Sequence, residues 1–281
     1  EVKSLRAFEA PDQVMADCIE TLKRMEKDIP RDGRLLGVGI TTPGPVDPLQ
    51  GVIIKPVRFS AWHGYNVRRL IQNSYACPVA IENNELGRAF AENFYGFGRK
   101  SDSFAVLTSQ YGIGCSAILQ HRGYRPPNGI SVGIGHSTID TNGERCECGN
   151  IGCLELYALP EIMVRNARKE DASITSWSVL SQRAAAGDTF CRSLIQKEAR
   201  YLVSALIGLV NLFALECIIL SRDFCVHSDY LAACIETEVN ERVINKDRMR
   251  IHVQASDING DIRDLGAASA LFNELLIDHE T

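Results

Sequence analysis

Residues 135–155, GHSTIDTNGERCECGNIGCLE, limit what this chain can fold into more than any other stretch. The segment is rich in Gly, Asn and charged residues and has no hydrophobic period, so it offers no apolar face with which to order itself against a core. It nevertheless gathers one histidine and three cysteines: His136, then Cys146 after nine residues, Cys148 after one more and Cys153 after a further four. Four nitrogen and sulfur donors are the number and kind that close a tetrahedral structural zinc site, and the pattern predicts a zinc clip. A pair of disulfides or chance clustering are the alternative accounts of the same residues. A closed four-ligand site keeps no position for water, so the clip implies a staple that orders the loop and not a catalytic metal.

The remaining composition is that of an ordinary globular chain. With 281 residues, 45% hydrophobic and 23% charged, there is material for one large or two medium domains. The net charge of -5 gives no broad attraction to nucleic acid or to an anionic membrane, so a DNA partner would have to be touched by some other segment. The seven cysteines outside the cluster are scattered, as with Cys77 and with Cys217 in LECIIL, and read as small buried hydrophobes in a reducing, cytoplasmic compartment. The apolar run YLVSALIGLVNLFALECIIL has the length of a membrane span, but Asn211 and Glu216 would sit undersolvated within it. A buried helix running into a strand accounts for it better, and no membrane partner is expected.

Along the chain, a short opening strand is followed by a cap at Pro11 and Asp12 and an amphipathic helix carrying Val14, Cys18, Ile19 and Leu22. RLLGVGITTPGPVD reads as a buried strand entering a Gly and Pro turn, GVIIKPV and PVAIEN as further strands, and NELGRAFAENFYGFG as a helix ending at Gly96 and Gly98. From Ser101 the rhythm restarts with SFAVLTS and CSAILQHRG as neighbouring strands, and beyond Tyr157 helices dominate, with strands at ECIILS and RIHVQAS and a last Ala-rich helix at DLGAASALFNELL. This order fits two α/β lobes joined near residue 100.

Read together, GVGITTPGPVDP, IENNELGRAFAENFYGFGR, YGIGCSAIL, IGHSTIDTNGERCECGNIGCLE and GAASAL resemble the ROK family of repressors, open reading frames and sugar kinases, over nearly the whole chain. The resemblance implies an α/β fold of the ribonuclease H-like, actin-like kind, with two lobes around a cleft. Residues 1–98 and 265–281 would form the first lobe, lacking its first strands, and residues 99–264 the second, with the zinc loop. It further implies a homodimer or homotetramer. Within the family, kinases phosphorylate a hexose with ATP and magnesium. Repressors of the NagC/XylR type use the same lobes as a sensor, preceded by a winged helix-turn-helix.

Individual residues decide between these roles. Sugar phosphorylation needs a carboxylate to take the acceptor hydroxyl's proton, and where the family's pattern has Asp this chain has Asn84. Glu85 follows it, but successive helical residues point about 100° apart, which makes it a poor substitute. Asn83 and Asn84 are candidates for sugar contact, and helix capping is the alternative for both. The family's Gly-Thr-Gly-Ile-Gly phosphate turn reads Gln110, Tyr111, Gly112, Ile113, Gly114, and a tyrosine there crowds a phosphate path. The paired glycines near the adenine site are replaced by LSRDF. In the family's Glu-x-Gly-His arrangement the acid has become Gly133, and the segment KPVRFSAWHGYN has no Asn where the family has one. His136 and Glu155 match family sugar contacts, with a helix-start carboxylate as the alternative for Glu155.

The expectation is thus a catalytically inactive sensing and oligomerising domain. Its effector would be a sugar or sugar phosphate, zinc would be its structural metal, and DNA would be reached only through an upstream domain. A divergent ATP-dependent sugar kinase and a degenerate paralogue acting through protein contacts are the alternatives.

Overall fold

The computed structural model describes residues 10–56, 59–109, 112–127, 132–258 and 262–276. The first elements are α1 (Pro11–Met25), β1 (Val38–Thr42), β2 (Val46–Asp47), β3 (Val52–Ile53), β4 (Tyr65–Asn66), α2 (Val67–Gln72), β5 (Val79–Asn83) and α3 (Asn84–Tyr95). There follow β6 (Phe104–Ser109), β7 (Ile113–Leu119), β8 (Arg122–Gly123), α4 (Glu155–Ala158), α5 (Pro160–Glu170), α6 (Trp177–Ala185) and α7 (Thr189–Phe213). The chain closes with β9 (Cys217–Arg222), α8 (Asp229–Arg242), β10 (His252–Ala255) and α9 (Ile262–Leu276). The opening strand expected before Pro11 lies outside the described residues.

Two compact units result. Unit one gathers the described residues between Glu1 and Ala91, Arg125 and Ser131, and Gly260 and Thr281. Its β1 and β5 pair in parallel from Val38↔Val79 to Thr42↔Asn83, and β2, β3 and β4 form an antiparallel sheet. Met15, Val38, Val46, Ile53, Val67, Ile71, Val79 and Ile81 make its core, with Ile19 and Leu22 of α1 packed against it, as the apolar stripe of that helix requires. The start of α1 differs from expectation: Pro11 is its first residue, Ala10 takes the cap position with no side-chain bond, and the Asp12 carboxylate instead accepts the Tyr65 hydroxyl at 2.6 Å. The Ala-rich α9 lies directly on β1, where a Cβ at Gly39 would stand 1.9 Å from the Ala267 carbonyl oxygen, so only glycine admits that approach.

Unit two holds the rest, between Glu92 and Tyr124 and between Val132 and Asn259. Its five-stranded sheet has the order β10-β9-β6-β7-β8, in which β10, β9 and β6 are parallel while β7 and β8 continue antiparallel. The 25-residue α7 buries Ile195, Leu202, Val203, Leu206 and Val210 and turns at Ala214, whose φ of 50° is left-handed, into β9, which is buried from Cys217 to Ser221. The long apolar run is therefore a buried helix running into a strand. Among the described residues no helix is long and apolar enough to cross a membrane.

Candidate functional site

The loop that precedes α4 brings its four predicted ligands together. One donor atom from each of His136, Cys146, Cys148 and Cys153 lies within 4.8 Å of every other. His136 Nδ1 stands 3.7 Å from Cys146 Sγ, and Cys148 Sγ stands 3.7 Å from Cys153 Sγ. Zinc–sulfur bonds of about 2.3 Å and a zinc–nitrogen bond of about 2.0 Å set neighbouring donors of a tetrahedron about 3.5–3.8 Å apart, so these two edges already have metal-site length. The widest pair would draw in by about 1 Å. All ten cysteines are free thiols.

Charge makes the same point as geometry. Burial, and then the Cys146 and Cys148 thiols beside it, push Cys153 up to about 12. The Asn150 backbone N–H draws Cys148 below the usual thiol range. Three thiolates this close repel one another unless a cation lies among them, and a divalent metal deprotonates such a set outright.

The backbone that presents these donors is a small hydrogen-bonded frame. Bridges pair Thr138 with Cys153 and Arg145 with Ile151, and Cys146 N–H donates to the Asn150 carbonyl at 2.8 Å. Asn150 Nδ2 donates to the His136 carbonyl at 2.9 Å and to Thr138 Oγ1 at 3.0 Å, which ties the histidine end of the loop to the cysteine end. Gly152 has a φ of 62°, and a Cβ there would lie 1.7 Å from the Asp140 carbonyl oxygen. The loop is thus ordered by its own hydrogen bonds, and sequence reasoning missed Asn150. Asn is common in loops of every kind, so its type carries no signal there.

Glu155 opens α4. Its Oε1 lies 3.3 Å from His136 Nδ1 and accepts the Cys146 thiol at 3.6 Å. The helix-start position and the neighbourhood of His136 are thus both realised in one residue. Gly133 stands two residues before Gly135 in the same loop, and a Cβ added to it would meet nothing within 4 Å.

Asn83 and Asn84 are in unit one, where β5 passes into α3. Asn83 is buried and its Oδ1 accepts the Glu85 N–H at 2.8 Å, which makes it the cap of α3. Asn84 follows as the first helical residue, half-buried. The preceding Glu82 is also buried. Its Oε1 accepts the Asn83 N–H at 2.8 Å and its Oε2 accepts Arg125 Nε at 2.7 Å. Glu82 and Arg125 therefore fix the elbow that carries both asparagines. No local pattern joins two residues 43 apart, and the sequence reading did not single out either. Gln110 and Tyr111, and Val57 and Arg58 within KPVRFSAWHGYN, lie outside the described residues.

Comparison with known proteins follows the same lines. A ROK family profile matches residues 1–274. The xylose repressor of Bacillus subtilis is 28% identical over 87% of this chain, which spans 62% of that repressor's length. A ROK family transcriptional regulator described as a homologue of the Escherichia coli Mlc protein superposes with a TM-score of 0.81 at 25% identity, over 95% of this chain and 71% of its own. The ROK hexokinase of Thermus thermophilus superposes with a TM-score of 0.78 at 25% identity, over 98% of this chain and 90% of its own. These likenesses, together with two α/β units and a His-Cys cluster on the loop before α4, establish the chain as a member of the ROK family with its actin-like, ribonuclease H-like fold.

Proposed function

We propose that this chain is the sugar-sensing and self-associating part of a ROK-type transcriptional regulator, without kinase activity. The observation that carries the proposal is the chemistry at the start of α3. Family kinases place an Asp where Asn84 stands, and an amide does not accept the proton of a sugar hydroxyl. Neither neighbouring acid replaces it. Glu82 is buried and engaged by Arg125 and by the Asn83 N–H, and Glu85 points to a different side of the helix. Tyr111, in place of a phosphate-cradling Thr, acts in the same direction.

In this reading the effector is a sugar or a sugar phosphate. Asn83, Asn84, His136 and Glu155 are the residues proposed to contact it. Zinc is the metal of the His136, Cys146, Cys148 and Cys153 set, since three thiolates and an imidazole are the ligands it takes in closed sites. A metal on Nδ1, the nitrogen facing Cys146, leaves Nε2 carrying the ring proton, so His136 presents a hydrogen-bond donor to the effector. DNA is reached through a winged helix-turn-helix preceding this chain, in a cytoplasmic homodimer or homotetramer. The likeness to the Thermus thermophilus hexokinase favours a divergent kinase as the second reading.

Thermal denaturation against a panel of hexoses, pentoses and their phosphates tests the sensor. A ligand bound to the native state at a hundredfold its Kd adds about 2.7 kcal/mol, a rise of about 5–10 °C in Tm. Gly133→Glu has room for its side chain, leaves the unliganded Tm unchanged and enlarges the shift by adding an acid that accepts from hydroxyls. Silence across the panel would replace the sensor by a degenerate paralogue acting through protein contacts.

A further inference from the structure

Unit one contains a cavity of about 200 Å³ lined, among the described residues, by Thr42, Pro43, Ile53, Pro56, Phe59 and Trp62. Among these described residues the lining is hydrocarbon and aromatic ring, and the Thr42 side chain is the one hydroxyl. Pro56, Phe59 and Trp62, which follow β3, supply half of these lining residues. Phe59 N–H donates to the Pro56 carbonyl at 3.3 Å and Trp62 N–H to the Phe59 carbonyl at 3.0 Å. The Trp62 ring is held edge-on against Tyr65, with centroids 5.2 Å apart. Phe59 and Trp62 are both half-buried.

The place of this cavity in the sheet is informative. Thr42 is the register partner of Asn83 at the carboxyl ends of two parallel strands, and adjacent strands lie about 4.8 Å apart. Ligands of open α/β sheets bind beyond those strand ends. The apolar cavity thus lies one strand away from Asn83, whose carboxamide oxygen already caps α3 and whose NH₂ is a hydrogen-bond donor. A ligand reaching both must be hydroxylated at one end and apolar at the other.

The geometry points to an effector that is a monosaccharide bearing an apolar substituent, with the substituent seated against Phe59 and Trp62 and the ring hydroxyls turned toward Asn83 and Asn84. The inference rests on the sugar-sensor reading and names the class of sugar. An unsubstituted sugar leaves the aromatic wall uncovered. A methyl, phenyl or acetyl group removes that apolar surface from water, and one methylene in a hydrophobic pocket is worth about 10–200-fold in discrimination.

Calorimetric titration of the chain compares glucose and xylose with their methyl and phenyl β-glycosides, and glucosamine with N-acetylglucosamine. At least one substituted sugar is expected to bind about 10-fold or more tightly than its parent. Trp62→Ala, and independently Phe59→Ala should the first variant fold poorly, is expected to erase that ratio, so that the substituted sugar binds no more tightly than its parent. The glycoside and N-acyl arms distinguish where on the ring the substituent sits. Equal affinity for parents and substituted sugars would overturn the inference and leave the sensor standing, as would a ratio that survives both variants. Absence of binding by every probe would overturn both.

Discussion

Cys148→Ser is expected to yield protein without its metal and with a Tm about 10 °C below that of the unaltered chain. The size follows from linkage: a ligand present at a thousandfold its Kd contributes about 4 kcal/mol to the native state, and each kcal/mol moves Tm by about 2–4 °C in a chain of this size. Cys148 is the cleanest position for the test because its side chain is exposed. Serine there opens no cavity, so a loss of stability reports the missing ligand and not damaged packing. Cys153 is fully buried, and its replacement would mix the two effects. Elemental analysis of freshly purified, unchelated protein is expected to give one zinc per chain, and the variant none. Because unit two has its own core around α7 and β9, the remainder of the fold persists in the variant, and the far-ultraviolet circular dichroism stays near that of the parent. A full complement of zinc in the variant, or none in the parent, would remove the clip from the account.

Glu198→Met is expected to stabilise the protein, by about 1–3 kcal/mol near pH 5 and by more as the pH rises. Glu198 lies on the core face of α7, fully buried. Neither of its carboxyl oxygens has a hydrogen-bond partner among the described residues. Burial alone raises it well above the usual carboxylate range. The native state therefore holds its proton more tightly than the unfolded chain does. Between the unfolded value of about 4.3 and the raised native value the unfolded state binds fewer protons, so the stability of the parent falls as pH increases through that window. Methionine has a similar volume, no charge and no unmet hydrogen bond. The carboxylates held by Arg183 titrate in the opposite sense: Asp171, held at about 2 first by the Ser173 hydroxyl and N–H and then by Arg183, loses its contribution as pH falls toward that value. That term is common to both proteins and cancels in the difference. Urea unfolding at several pH values between 5 and 8 measures it. A variant less stable than its parent throughout would mean that Glu198 has a partner in solution.

These two sites differ in how far they could be read from sequence. The His-Cys cluster was legible because few residue types bind zinc and all four sit within eighteen positions of one another, so spacing alone pointed to them. The burial of Glu198 was not. Its neighbours in EARYLVSALIG give a helix, but a lone Glu on a long helix is solvated far more often than enclosed, and only the packing of α7 in unit two reverses that. The same division holds for the elements. Long periodic segments such as α3, α7, α8 and α9, and apolar runs such as β6 and β9, lie where their patterns predict. The two-residue strands β2 and β4 and the six-residue α2 are too short to show a period, and their pairing is set by the turn at Gly51 and by the Asn66 cap, which accepts the Arg69 N–H at 2.8 Å. At the start of α3 the asparagines were found from family resemblance and capping chemistry. The Glu82–Arg125 pair that holds them was not, because it is a tertiary contact with no sequence period.

The central claim is that an amide has replaced the base at position 84, leaving a fold that recognises sugar without transferring phosphate to it. The direct measurement is ATP consumption by the zinc-loaded chain with magnesium and a panel of hexoses, read by a coupled ADP assay alongside analysis for sugar phosphate. The account predicts rates indistinguishable from the no-sugar background for every hexose. Sugar-dependent ADP release with a matching yield of phosphorylated hexose would contradict it.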